Sequence, residues 1–145
     1  MKQTSIQYQN TPYQIADIQS VEISTLSFSQ YLQNTIEFCK EWLSGKEHFI
    51  VNTSGSTGTP KPIKISRTQM LESVRLTQLA FGLKGGETAL VCLHTDYIAG
   101  KMMLIRGLEL GWQMLLQEPS INPLENIIEP FDFVALVPLQ LQTIL

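Results

Sequence analysis

Ile50-Val51-Asn52-Thr53-Ser54-Gly55-Ser56-Thr57-Gly58-Thr59-Pro60-Lys61 is the stretch on which the reading of this chain turns. An apolar lead-in suited to a strand runs into seven consecutive Ser, Thr and Gly residues, Thr53 to Thr59. These offer hydroxyls and backbone N–H groups with almost no side-chain bulk. Gly55 and Gly58 can adopt positive φ and let the main chain approach an anion, and successive N–H groups in such a loop form a concave donor set. Lys61 adds one full positive charge. A chain of phosphates fits this chemistry.

Two better-known loops are excluded by spacing. A nucleoside-triphosphate loop of the form G-x-x-x-x-G-K-[ST], counted from Gly55, needs glycine where Pro60 stands. A nucleophile elbow, G-x-S-x-G, fails because Ser54 and not glycine lies two positions before Ser56.

Outward from the loop, helices and strands alternate. On the N-terminal side, residues 1–24 are polar and mixed and predict one or two short edge strands. Phe28, Leu32, Ile36, Cys39 and Leu43 recur at helical spacing, Ser27 with Gln30 reads as the capping box, and Gly45 as the stop. His48 to Thr53 predicts the strand into the loop, and Lys61 to Ser66 the strand out of it. Ser66 with Gln69 opens a helix with Met70, Val74, Thr77 and Phe81 on one face and Gly82 as its end. Glu87 to Leu93 is a near-continuous apolar run, the pattern of a strand buried on both faces. A helix over 97–110 stopped by Gly111, a strand over 112–117, a short helix from Asn122 to Pro130 and a strand over 131–137 complete the pattern. The fold class predicted is α/β, a mostly parallel sheet with flanking helices. Pro138 to Leu145 starts like a helix and carries no closing signal, so the chain reads as cut within an element, and Leu139, Leu141, Ile144 and Leu145 need a surface to pack on. Self-association into a homo-oligomer is one way to cover them.

Composition narrows the partners. The 145 residues carry a formal charge of −3 with no cluster of Lys or Arg, which argues against nucleic acid or an anionic membrane as the main partner. No apolar run approaches the roughly 18 residues of a membrane span, and no signal-type core follows Met1. The cytoplasm is the compartment expected. Cys39 and Cys92 are far apart and without metal-ligand spacing, so both are read as reduced core residues, and no metal site is predicted. Trp42 and Trp112 read as packing anchors, and Lys101 and Arg106 as solvated helix-surface charges.

From Ile50 to Lys61, every position agrees with the phosphate-loop signature of the AMP-forming adenylating enzymes, the superfamily of acyl-CoA synthetases, luciferases and peptide-synthetase adenylation domains, which this chain resembles. Further on, Leu93-His94-Thr95-Asp96-Tyr97-Ile98-Ala99-Gly100 looks like the next core motif of that family, usually L-P-x-F-H-x-x-G, with His94 in place of Pro and Tyr97 in place of His. The run Thr95 to Met103, Arg106, and Val134 to Gln140 (V-A-L-V-P-L-Q) look like the branch of o-succinylbenzoate–CoA ligases of menaquinone synthesis. The resemblance spans residues 45–145, the loop being its specific part.

The resemblance implies a two-step reaction. A carboxylic acid attacks the α-phosphate of ATP to give an acyl-adenylate and pyrophosphate, and the thiol of CoA then displaces AMP. It implies that Thr53, Ser54, Gly55, Ser56, Thr57, Gly58, Thr59 and Lys61 hold the phosphates of ATP, with Mg²⁺, and that Tyr97 and Gly100 border the acid pocket. The family segments that grip adenine, ribose and metal, and the lid with its lysine, have no counterpart here. Residues 1–145 are therefore read as a partial N-terminal AMP-binding domain, with no catalytic residue assigned and no activity expected of this stretch alone. An adenylation domain that loads a carrier thiol, and a non-catalytic nucleotide- or anion-binding module or split subunit, are the alternatives. His94 and Asp96 are read as a strand-end histidine beside a helix N-cap aspartate, not as a catalytic pair.

Overall fold

In the computed structural model, which describes residues 3–26, 29–53 and 58–145, the chain opens with a hairpin of β1 (Ser5–Tyr8) and β2 (Thr11–Gln14). Two 3₁₀ segments, Ile15–Ser20 and Ile23–Thr25, lead into α1 (Gln30–Leu43). A second hairpin, β3 (His48–Thr53) with β4 (Lys61–Ser66), precedes α2 (Arg67–Phe81). Then come β5 (Thr88–Val91), α3 (Ile98–Leu110), β6 (Gln113–Leu116), β7 (Phe133–Val134) and α4 (Pro138–Ile144).

Five strands form one sheet in the order β2-β1-β6-β5-β7, and β3 and β4 pair apart from it as an antiparallel ribbon. Within the large sheet, β1/β6, β6/β5 and β5/β7 are parallel and only β1/β2 is antiparallel. The predicted α/β fold with a mostly parallel sheet is the one observed. Its centre is β5, where Ala89, Leu90 and Val91 are all fully buried, as an apolar run without alternation requires. Helix α3 lies directly on β6: a Cβ added to Gly107 would stand 2.2 Å from the sulfur of Met114. Trp42 and Trp112 are fully buried, and each ring N–H donates 2.9 Å to a carboxylate, Glu109 and Glu87 respectively. Both are packing anchors. Burial also pushes the thiols up, Cys39 to about 12 and Cys92 to about 11, so neither forms thiolate readily. No helix among the described residues is long and apolar enough to cross a membrane.

Several elements differ from expectation, each for a physical reason. Strand β1 is not an edge. It pairs on both sides, burying Ile6 and Tyr8, and leaves the edge to β2. The cap of α1 is Ser29, whose hydroxyl accepts from the Leu32 N–H at 3.1 Å, while Gln30 spends its amide on Asn34; Ser27 and Phe28 lie outside the described residues. The buried stripe of that helix runs through Trp42, and Leu43 is exposed. On α2 only Met70 and Val74 are buried, and Phe81 is exposed with one edge-on contact to Phe133. The helix expected over 122–130 is a set of turns. A short segment that buries little cannot offset the cost of nucleating a helix, and Ile128 is left 91% exposed. Of the strand expected over 131–137, only Phe133–Val134 pairs, because it meets β5 alone at the sheet margin. The capping box Ser66/Gln69 and the stops at Gly82 and Gly111 are as predicted.

Sheet and first helix are tied by one carboxylate. Glu118, just past β6, accepts from Ser29 at 2.6 Å and from the Tyr8 hydroxyl at 2.8 Å, and Ser29 in turn caps α1. The Ser29 hydroxyl, and after it that of Tyr8, hold the Glu118 carboxyl below the usual carboxylate range. Because the folded value is the depressed one, its stabilisation is complete above the unfolded value of about 4.3 and is lost as pH falls through the folded value. Glu118→Gln should therefore cost about 1 kcal/mol or less at pH 6, the group being solvent-exposed, and the gap to the wild type should close as pH drops below about 4. Thermal melts across that range check it, and a gap that widens on acidification would contradict the assignment.

Candidate functional site

The β3/β4 ribbon presents the Ser/Thr/Gly loop at its tip. Its last paired residues are Thr53 and Lys61, which face each other in register. Ser54, Gly55, Ser56 and Thr57 lie outside the described residues. Gly58 has φ +87°, a conformation that side chains other than glycine's disfavour. Thr59, Pro60 and Lys61 are exposed. The described part of the loop thus sets a left-handed glycine, a hydroxyl and an ammonium group within four residues, open to solvent.

At the base of the loop the ribbon touches the rest of the fold through a bridge between Asn52 and Tyr97. Tyr97 also lines a cavity of about 380 Å³ beyond the end of β5, whose wall includes Leu93, His94, Gly100, Val137 and Gln140. Tyr97 and Gly100, the two residues singled out from the sequence as pocket-lining, therefore share one cavity, and Tyr97 links it to the end of β3. Such a hollow at the carboxyl end of a parallel strand is where open α/β sheets generally bind ligands.

The wall is held from three directions. Helix α1 contributes Tyr31, whose hydroxyl donates 2.9 Å to the Leu93 carbonyl, and Thr35, whose hydroxyl lies 2.9 Å from that of buried Thr95. Burial pushes the Tyr31 hydroxyl far up, so it remains a neutral donor. Helix α3 presses on the same segment from the other side: a Cβ at Gly100 would lie 2.1 Å from the His94 carbonyl oxygen. Third is Gln140, 4% exposed, in the first turn of α4. Its carboxamide accepts from the Val137 N–H at 3.1 Å and donates to the carbonyls of Cys92, at 3.2 Å, and Ser120, at 3.0 Å. A single side chain fastens α4, the end of β5 and the segment after β6 together.

Other polar residues fall out differently from expectation. Asp96 does not cap α3. The N-cap position is Tyr97, without a side-chain bond, and the Asp96 carboxylate accepts from Asn34 at 3.1 Å. His94 is instead edge-on to Tyr97, with ring centroids 6.1 Å apart. Lys101 and Arg106 are half-buried and not freely solvated. Burial lowers the pKa of each; Lys101 lies 4.4 Å over the Phe38 ring, and the Arg106 Nε is buried without a hydrogen-bond partner. Among the described residues no group of three or more His, Cys, Asp or Glu side chains gathers to hold a metal ion. Sequence reasoning gave Tyr31, Thr35 and Gln140 no role. Only Gln140 left a trace, three residues after Val137, the spacing of a side chain reaching back to a helix cap.

Comparison with known proteins bears out the resemblance to adenylating enzymes. No family model matches the chain. It is similar to the solved acyl-CoA synthetase (AMP-forming)/AMP-acid ligase II-like protein of Dyadobacter fermentans, at 44% identity and a TM-score of 0.79 over 88% of this chain and 36% of that one. It is also similar to the 2-succinylbenzoate–CoA ligase of Bacillus cereus, 27% identical over 103 residues, 69% of this chain and 21% of the ligase. The chain thus spans well under two thirds of either relative, and its α/β fold matches a fragment of an adenylating-enzyme domain.

Gly100→Ala should lower stability by about 1–3 kcal/mol, because the added methyl meets a backbone carbonyl and cannot be relieved by rotating a side chain. Urea unfolding should show a lower midpoint at unchanged slope. A loss under about 0.5 kcal/mol would mean that α3 and the His94 segment are not pressed together as described.

Proposed function

We propose that this chain is the N-terminal part of an AMP-forming acid–CoA ligase, that its acid is 2-succinylbenzoate, and that it works in the cytoplasm. The observation that carries the reading is the bridge between Asn52, which directly precedes the Ser/Thr/Gly run, and Tyr97, which lines an apolar cavity able to take the body of an acid. The 44% identity to an AMP-forming synthetase supports the reaction class, and the weaker likeness to a 2-succinylbenzoate–CoA ligase supports the acid. The lengths of these relatives support a longer enzyme. The exposed Leu139, Leu141 and Leu145 on and beyond α4 offer apolar surface to the rest of its domain or to a second copy.

In this reading the hydroxyls and N–H groups of residues 53–59 and the ammonium of Lys61 surround the ATP phosphates. Negative charge grows on the departing pyrophosphate as the acid attacks the α-phosphate, and donors already in place stabilise it without having to reorganise. Mg²⁺ neutralises phosphate charge when the nucleotide brings it. The cavity beside Tyr97 holds the acid so that its carboxylate points toward the loop, and this ordering is itself a large part of the acceleration. CoA enters in the second step, in which the pyrophosphate has gone and the loop has less to do.

Acid-dependent exchange of labelled pyrophosphate into ATP by the full-length gene product tests the proposal, with 2-succinylbenzoate as the acid. Exchange is expected from the whole enzyme and not from residues 1–145 alone. Lys61→Ala should slow adenylation about 10²–10³-fold while leaving thioester formation from supplied acyl-adenylate within a few-fold of wild type. Equal losses in both half-reactions would remove the phosphate role from Lys61, and absence of exchange with 2-succinylbenzoate would remove the acid.

A further inference from the structure

The cavity wall holds one residue whose chemistry the reaction above does not use. His94 is exposed at the cavity, and its main chain is fixed: its carbonyl sits against Gly100 and accepts from the Tyr97 N–H at 3.4 Å. The imidazole is not similarly committed. Its ring stands edge-on to Tyr97, at 83° between planes, and among the described residues neither ring nitrogen has a hydrogen-bond partner. The carboxylate nearest in sequence, Asp96, is turned to Asn34. Around it the wall is largely apolar, and the polar groups of Gln140 are already spent on Val137, Cys92 and Ser120. His94 is the described lining residue whose side chain can carry positive charge.

A dicarboxylic acid poses a problem in such a cavity. One carboxylate is consumed in forming the adenylate, and the other stays ionised beside apolar walls. An unpaired carboxylate taken out of water costs several kcal/mol, so it must keep water or meet a hydrogen-bond donor. We infer that His94 is the specificity-determining residue for the acid: its imidazole, exposed at the cavity, donates a ring N–H to the second, unreacting carboxylate, while the aryl body fills the apolar interior. This inference rests on the proposed ligase reading. The volume suits it, since about 380 Å³ lies at the small end of the roughly 300–1,000 Å³ of small-molecule sites and fits a compact aryl acid better than a long acyl chain.

The test uses the full-length gene product and three acids: 2-succinylbenzoate, benzoylpropionate, which lacks the ring carboxylate, and propionylbenzoate, which lacks the other. His94→Ala should raise KM for 2-succinylbenzoate about ten- to a hundredfold with kcat little changed, the size of a lost charge-assisted hydrogen bond. KM for whichever monocarboxylate the wild type turns over should move less than about threefold. Where neither turns over, their inhibition constants take the place of KM. His94→Lys, which restores an N–H donor to a carboxylate, should recover most of the preference for the dicarboxylate, an outcome that a merely structural histidine would not give. An equal rise for mono- and dicarboxylates, no rise at all, or failure of the lysine variant to recover the preference would each overturn the role of His94 while leaving the ligase intact. Wild-type enzyme that adenylates other acids but not 2-succinylbenzoate would overturn the acid assignment and this inference with it.

Discussion

The first turn of α3 rests on the carbonyl of His94, and the absence of a side chain at Gly100 is what allows it. A Cβ there would stand 2.1 Å from the oxygen, well inside any tolerable contact. The approach places the segment after β5 between two helices, with α3 on one side and the Tyr31 and Thr35 hydroxyls of α1 on the other. A stretch that would otherwise be a loose strand-to-helix connection becomes a firm wall.

Buried polar bonds add to the positioning, Gln140 foremost. Gln140 is nearly inaccessible and would be costly there with an unmet amide, yet all its bonds go to main-chain groups of three different segments. Glu118 works in the same manner at the surface, joining Tyr8 of β1 to the cap of α1. The phosphate-suited loop is held differently. Its ribbon is separate from the main sheet and meets the cavity wall at the bridge of Asn52 with Tyr97. The Ser/Thr/Gly run and the cavity are thus built on different supports, linked through the bridge of Asn52 with Tyr97.

Much of the fold was legible in the residues. The strands at His48–Thr53 and Lys61–Ser66, the capping box at Ser66, the left-handed stops at Gly82 and Gly111 and the buried run of β5 follow from local rules in which a few adjacent side chains settle the backbone. The misreadings share a different character. Ser29 caps α1 because Glu118, 89 residues away, receives its hydroxyl. Strand β1 sits inside the sheet because β6 pairs with it, and the segment after Asn122 fails to become a helix because it has little to bury against.

What the sequence determined by itself was the chemistry: hydroxyls, glycines and a lysine in an order suited to phosphate, apolar runs suited to a parallel sheet, and a resemblance that the comparisons bear out. What only the tertiary structure decided was proximity. Tyr97 beside Asn52, Thr35 beside Thr95, and Gln140 reaching Cys92 and Ser120 are contacts between residues far apart in the chain. Local propensity carries no information about such pairs. They are set by how helices and strands bury their apolar faces together, and the polar groups then take whatever partners that packing brings within reach.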